Sequence, residues 1–157
     1  MNACVVDASV AVKWFCLEEH SARARRMTGW GIALHAPERL GVEVDSALWK
    51  RVHRGEMSLR EAEDARALFA SMAIEIHAIG ALRNPAFRLA ARTGQSVYDC
   101  LYLALAEGLA LPLVTADQRF LQAVAPVASK GRLVWIGDVA EPGSPRARRE
   151  GRRFRRP

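Results

Sequence analysis

Five short apolar runs, at about 3–7, 32–35, 74–77, 111–114 and 133–136, are separated by longer stretches of helical character. Val5 and Val6 in the first run are β-branched and suit a buried strand. Short strands that alternate with helices pack as a mostly parallel sheet covered on both faces. The expected fold class is therefore α/β, a three-layer sandwich. The helical stretches are expected at 9–28, with a break near Leu17-Glu18-Glu19, and from Pro37 to about Arg54-Gly55. Further helices are expected at 59–72, 80–92, 96–107 and 118–124, with Pro85 arguing for a late start in the 80–92 stretch. Ser58-Leu59-Arg60-Glu61 has the form of a capping box.

A chain of 157 residues, half of them hydrophobic, suits one domain with a sizeable core. The net charge of +6 is unevenly placed, because residues 141–157 hold seven of the 23 basic residues and only two of the 17 acids. Residues 1–140 form the expected globular domain and are almost neutral. The stretch 141–157 is rich in Pro, Gly, Ser and Arg and is expected to be a disordered tail, able to grip a phosphate backbone without reading sequence. Cys4, Cys16 and Cys100 lie in apolar contexts without metal-ligand spacing, so they read as buried thiols of a reducing, cytoplasmic compartment. No apolar run is long enough to span a membrane, and no signal peptide is expected.

Four acids stand at informative places. Asp7 ends the first strand and either faces the ligand crevice of an open α/β sheet or caps the helix that follows, with Ser9 at an expected helix cap. Glu43 shares a helical stripe with Leu40, Val44, Ala47 and Leu48, where a carboxylate needs a metal, a cationic side chain or backbone donors. Asp99 lies three residues after Ser96 and could close a capping box there. Asp117 follows the fourth strand as Asp7 follows the first. In a sheet of order 3-2-1-4-5, Asp7 and Asp117 meet, and flanking helices can deliver Glu43 and Asp99 to the same crevice. Divalent cations relieve the repulsion of gathered carboxylates, and oxygen-only donors favour Mg²⁺ or Mn²⁺.

The stretches 5–14, 43–48, 96–104 and 113–117 resemble the PIN-domain ribonucleases, above all the VapC-type toxins of bacterial toxin–antitoxin pairs. The resemblance spans about 1–140 and implies a PIN-like sandwich with a five-stranded, mostly parallel sheet. It implies a Mg²⁺-dependent endoribonuclease that leaves a 5′-phosphate and a 3′-hydroxyl. Asp7, Glu43, Asp99 and Asp117 would be the catalytic, metal-holding acids, with one ion at Asp7, Asp99 and Asp117. Ser9 and Thr115 would set hydroxyls beside the site. Ser46 stands where toxins of this type often carry Asn, so its supporting contact has a shorter reach. The resemblance also implies an RNA substrate, a cognate antitoxin and a homodimer.

Two other functions fit parts of the pattern. A Mg²⁺-dependent phosphatase or phosphotransferase uses an aspartate after the first strand, but usually with a second acid where this chain has Ser9. A non-catalytic RNA- or protein-binding module has no need of four converging acids. The histidines His20, His35, His53 and His77 lie outside the four blocks and suggest no general base. Lys13 either balances the acids or sits on the surface, and Arg39, Lys50, Arg51, Arg54, Arg88, Arg92 and Arg119 are candidates to meet RNA.

Overall fold

The structure, a computed structural model, describes residues 1–141. The expected Arg-rich tail lies outside the described residues, apart from its first residue. Five strands, β1 (Ala3–Val6), β2 (Ala33–Pro37), β3 (Ile74–His77), β4 (Leu113–Thr115) and β5 (Leu133–Trp135), form one sheet in the order β3-β2-β1-β4-β5. Every neighbouring pair is parallel, as expected. Seven helices flank the sheet among the described residues: α1 (Ala8–Ala11), α2 (Ser21–Thr28), α3 (Arg39–His53), α4 (Leu59–Ala70), α5 (Arg83–Thr93), α6 (Val97–Leu109) and α7 (Gln118–Val124).

The centre of the sheet positions the acids. Cys4, Val5 and Val6 of β1 are fully buried between β2 and β4. Val5 stands opposite Leu113 and Val6 opposite Val114. The Asp7 N–H extends this ladder by donating to the Val114 carbonyl at 3.0 Å. Asp7 and Thr115 therefore leave the sheet side by side. Helix α6 packs across β1, β2 and β4, and every residue from Cys100 to Ala106 is buried. Each fully buried leucine there contributes roughly 2 kcal/mol of apolar transfer. The helix is apolar all round because sheet and neighbouring helices cover it, which anchors its first turn, with Asp99, near the sheet rim.

Several expected boundaries shift, each for a local reason. The stretch 9–28 breaks near Leu17-Glu18-Glu19 as expected, but more widely: α1 ends at Ala11, a 3₁₀ turn covers Val12–Trp14, and α2 begins only at Ser21. Ser21 holds the break open, since its Oγ donates to the Cys16 carbonyl at 2.8 Å and accepts the Glu18 N–H at 2.7 Å. Such side-chain bonds compete with the helical ladder. Pro37 closes β2 and does not open a helix; it lies opposite His77, and α3 starts at Arg39. A proline at a strand end forfeits no needed donor, and the next residue, Glu38, gives its N–H to the His77 carbonyl at 2.8 Å. Pro85 sits in the first turn of α5, where its missing N–H costs little. The Ser58 capping box forms in full: Ser58 Oγ accepts the Glu61 N–H and Glu61 accepts the Ser58 N–H.

Gly94 ends α5 with φ +70°, in the left-handed region that turns the chain toward Ser96 and α6. An added Cβ there meets no atom within 4 Å, so only backbone strain opposes it. Gly94→Ala is expected to lower the unfolding free energy by about 1–2 kcal/mol. Gly108, inside α6 and equally uncrowded, is the control; Gly108→Ala is expected to raise it by about 0.5–1 kcal/mol. Urea titration of both variants checks the pair, and equal midpoints would contradict this account of the α5–α6 turn.

Candidate functional site

Asp7 occupies the N-cap position of α1, and its carbonyl accepts the N–H groups of Val10 and Ala11 at 2.9 and 3.1 Å. Its carboxylate makes no cap hydrogen bond. It points instead at two hydroxyls. Ser9 Oγ donates to Asp7 Oδ2 at 2.6 Å, and Thr115 Oγ1 donates to the same oxygen at 2.7 Å. Ser9 is therefore inside α1 and not its cap, which corrects the sequence expectation. Each hydroxyl also accepts from the chain after β4. Ser9 Oγ takes the Ala116 N–H at 2.9 Å and Thr115 Oγ1 takes the Asp117 N–H at 3.0 Å. Among the described residues, no hydrogen bond is made to Asp7 Oδ1.

Burial pushes the Asp7 carboxyl up to about 6, and the charges of Glu43 and Asp99 add to the rise. The Ser9 and Thr115 hydrogen bonds work against it without cancelling it. Three of the four acids thus share one electrostatic field.

Glu43 reaches this field from α3 with its side chain one-fifth exposed. Arg39, one turn earlier, donates from Nε to Glu43 Oε1 at 2.9 Å, and its guanidinium lies 3.8 Å over the Tyr98 ring. The Tyr102 hydroxyl donates to Glu43 Oε2 in a short contact. Tyr102 is 1% exposed. Burial and the adjacent Glu43 raise its phenol far above the ordinary range, so it remains a donor. The stripe position of Glu43 is satisfied by a cation and a phenol. Tyr102 went unnoticed in the sequence because it reads as one more apolar residue of α6. Its place three residues after Asp99, on one helical face, was the available signal.

Asp99 is exposed in the first turn of α6. Ser96 caps the helix by accepting the Asp99 N–H at 3.1 Å, and its hydroxyl donates back to Asp99 Oδ2 at 2.6 Å. The full box seen at Ser58 is not completed here. Asp117 caps α7, with Oδ1 accepting the Phe120 N–H at 2.9 Å, and is joined to Asp7 through Thr115. No three of the four acids bring ligand oxygens within 4.8 Å of one another. Among the described residues the trio that does so is His35, Glu75 and His77, on β2 and β3.

A cleft of about 490 Å³ opens beside the acids, walled by Ser9, Lys13, Arg39, Glu43, Ser46 and Lys50. Ser46 lines this cleft, while Lys13 is committed to Glu18 at 2.9 Å. Arg51 pairs with Glu18 and Glu56, Arg54 with Glu56 and Arg39 with Glu43, so Lys50 is the basic group on the wall that makes no ion pair among the described residues. A larger cleft of about 980 Å³, lined by Trp14, Phe15, Leu34, Leu68 and Ile74 together with Arg25 and Glu75, holds none of the four acids. The chemistry of the acid rim fits a hard divalent cation: oxygen donors only, one carboxylate oxygen kept clear of protein donors, and like charges that raise the Asp7 pKa. Thiolate chemistry is not offered here, since all three cysteines are buried and burial pushes Cys4 up to about 12.

The PIN domain family model matches residues 4–125. The chain is 34% identical over 122 residues to ribonuclease VapC3 of Pyrobaculum aerophilum, covering 75% of this chain and 92% of that protein. It superposes on the crystal structure of PAE2754 from Pyrobaculum aerophilum with a TM-score of 0.67 at 23% identity, over 86% of this chain and 84% of that one. A toxin–antitoxin complex from Klebsiella pneumoniae has a chain of the same fold, with a TM-score of 0.60 at 15% identity, over 83% and 95% of the two chains.

Because the folded Asp7 carboxyl holds its proton up to about pH 6 and an unfolded one releases it near 3.8, stability falls as pH rises between these values and stays lowered above them. Asp7→Asn removes that loss. In EDTA at pH 7.5 the variant is expected to be more stable than the parent by on the order of 1–3 kcal/mol, with the gap closing toward pH 4. Denaturant titrations at several pH values check this, and a less stable variant at pH 7.5 would contradict the charge assignment.

Proposed function

Because the chain belongs to the PIN-domain family, in its VapC-type branch, we propose that it is a Mg²⁺-dependent endoribonuclease and the toxin of a toxin–antitoxin pair. The observation that supports this reading best is the half-buried Asp7 carboxylate. It is held by Ser9 and Thr115, with Glu43 and Asp99 close enough to raise its pKa. Such crowding is unfavourable for a binding module and useful for a cation site.

In this proposal Asp7, Asp99 and Asp117 hold Mg²⁺, or Mn²⁺ in its place, and Glu43 stands at the side of the site. When bound, the cation supplies a water acidified toward neutral pH and polarisation of the phosphoryl oxygens. The chain's own residues do the rest. Ser9 and Thr115 fix the Asp7 carboxylate at the rim. Arg39 and Tyr102 hold Glu43 from two sides, so that it orients the attacking water in the cleft. Arg39 and Lys50 on the cleft wall meet the RNA backbone. Hydrolysis adds water at phosphorus and breaks the bond to the 3′ oxygen, giving a 5′-phosphate and a 3′-hydroxyl. A phosphotransferase mechanism finds no second acid at position 9, where Ser9 spends its hydroxyl on Asp7.

The partner proposals follow the same family. The larger cleft, with its apolar lining, is the proposed seat of an antitoxin segment, and the Klebsiella neighbour, solved as a toxin–antitoxin complex, supports an antitoxin partner. A homodimer and a cytoplasmic, reducing setting are proposed with it. Among the described residues, no helix is long and apolar enough to cross a membrane. We also propose that residues 1–140 form the nuclease domain and that the Arg-rich stretch 141–157 adds affinity for RNA through its seven arginines.

Asp7→Asn and Asp99→Asn are each expected to lower Mg²⁺-dependent cleavage of a structured RNA pool on the order of 10²-fold or more, and Tyr102→Phe about 10-fold. Equal cleavage by the parent and both acid variants would defeat the proposal. Removing residues 141–157 is expected to weaken RNA binding and flatten its dependence on salt. Filter binding at low and high salt measures both, and unchanged affinity at the two salts would remove the tail from the account.

A further inference from the structure

His35, Glu75 and His77 lie outside the acid rim. Glu75 and His77 alternate on one face of β3, and His35 stands directly opposite Glu75 on β2. His35 Nδ1 is 3.1 Å from His77 Nε2. One Glu75 oxygen lies 3.5 Å from His35 Nδ1, and the other lies 3.6 Å from His77 Nε2. The imidazoles are mostly covered, with side chains 13% and 22% exposed, whereas Glu75 is 66% exposed.

A carboxylate that simply hydrogen-bonds an imidazole approaches to about 2.7–2.9 Å, and Glu75 stays well outside that range from both rings. Ligand atoms held about 2.0–2.1 Å from one tetrahedral ion stand roughly 3.3 Å apart. The two imidazole nitrogens stand 3.1 Å apart, a spacing that suits a hydrogen-bonded pair or two ligands of one ion, and a Glu75 oxygen lies within 4.8 Å of both. Two imidazoles and a carboxylate suit a borderline divalent ion such as Zn²⁺, Co²⁺ or Ni²⁺, whereas hard Mg²⁺ prefers oxygen. The exposed side of Glu75 leaves a further position open to solvent.

We propose that His35, Glu75 and His77 form a second metal site, selective for a borderline transition-metal ion such as Zn²⁺ and separate from the acid rim. The site bridges β2 and β3 at the root of α3. His77 takes the Glu38 N–H at 2.8 Å through its carbonyl, and Glu38 Oε1 takes the Ile79 N–H at 3.1 Å. An ion there ties the edge strand β3 to β2, the strand that leads into the helix carrying Glu43. The inference does not depend on the nuclease reading, because its test measures binding and not cleavage.

The test uses the full-length chain carrying Asp7→Asn and Asp99→Asn, which disables the acid rim. Equilibrium dialysis against micromolar ZnCl₂ in excess Mg²⁺ is expected to retain about one Zn²⁺ per chain. Adding His77→Ala or His35→Ala should weaken binding about 100-fold, and adding Glu75→Gln about 10-fold. Imidazole NMR signals of His35 and His77 should shift on Zn²⁺ addition, while those of His20 and His53 stay in place. Circular dichroism confirms that each variant is folded. Zinc retention unchanged by His77→Ala and His35→Ala, signal shifts confined to His20 or His53, or no retained zinc would each overturn the proposal.

Discussion

Two hydroxyl hydrogen bonds to a single oxygen, Asp7 Oδ2, join the ends of β1 and β4 and set the geometry on which the candidate site depends. Ser9 comes from the first turn of α1 and Thr115 from the end of β4, and both hydroxyls accept backbone N–H groups that lead to Asp117. The parallel register of Val6 with Val114 makes this meeting possible, because it delivers Asp7 and Thr115 to the same level of the sheet. A slip of one residue would turn Asp7 to the opposite face of the sheet, away from Thr115, so the register itself sets the position of the acid.

Around this clamp the chain balances stability against charge. Burial and neighbouring acids disfavour ionised Asp7, while Ser9 and Thr115 recover part of the loss. Glu43 is managed differently, by a guanidinium and a phenol supplied from α3 and α6. Tyr102 therefore connects the most deeply buried helix to the rim. Its hydroxyl is the polar end of a side chain whose ring belongs to the core. The second, imidazole-containing trio on β2 and β3 offers different donor chemistry, so the two centres can select different ions in one protein.

Much of this was legible in the residues. Short β-branched runs, the Ser58 capping box and the apolar surround of Cys100–Ala106 report strong local preferences, and all reappear in the fold. The strand order was legible through the two acids that follow the first and fourth strands. The break near Leu17-Glu18-Glu19 was legible too, but not the Ser21 hydroxyl bond to the Cys16 carbonyl that holds it, which helical periodicity does not record. Ser9 was misplaced as a cap for a similar reason, since the N–H its hydroxyl accepts belongs to Ala116, 107 residues away. The His35–Glu75–His77 grouping was illegible from spacing, because strand pairing alone brings His35 to residues about 40 positions later.

The central claim is that acids from four separate segments share one divalent ion at the rim of the sheet. Anomalous diffraction from crystals of the full chain grown with Mn²⁺ tests it most directly. The account predicts a manganese peak about 2.1 Å from carboxylate oxygens of Asp7, Asp99 and Asp117, with Glu43 beside it. A well-ordered rim without that peak, or manganese found only at His35, Glu75 and His77, would contradict it.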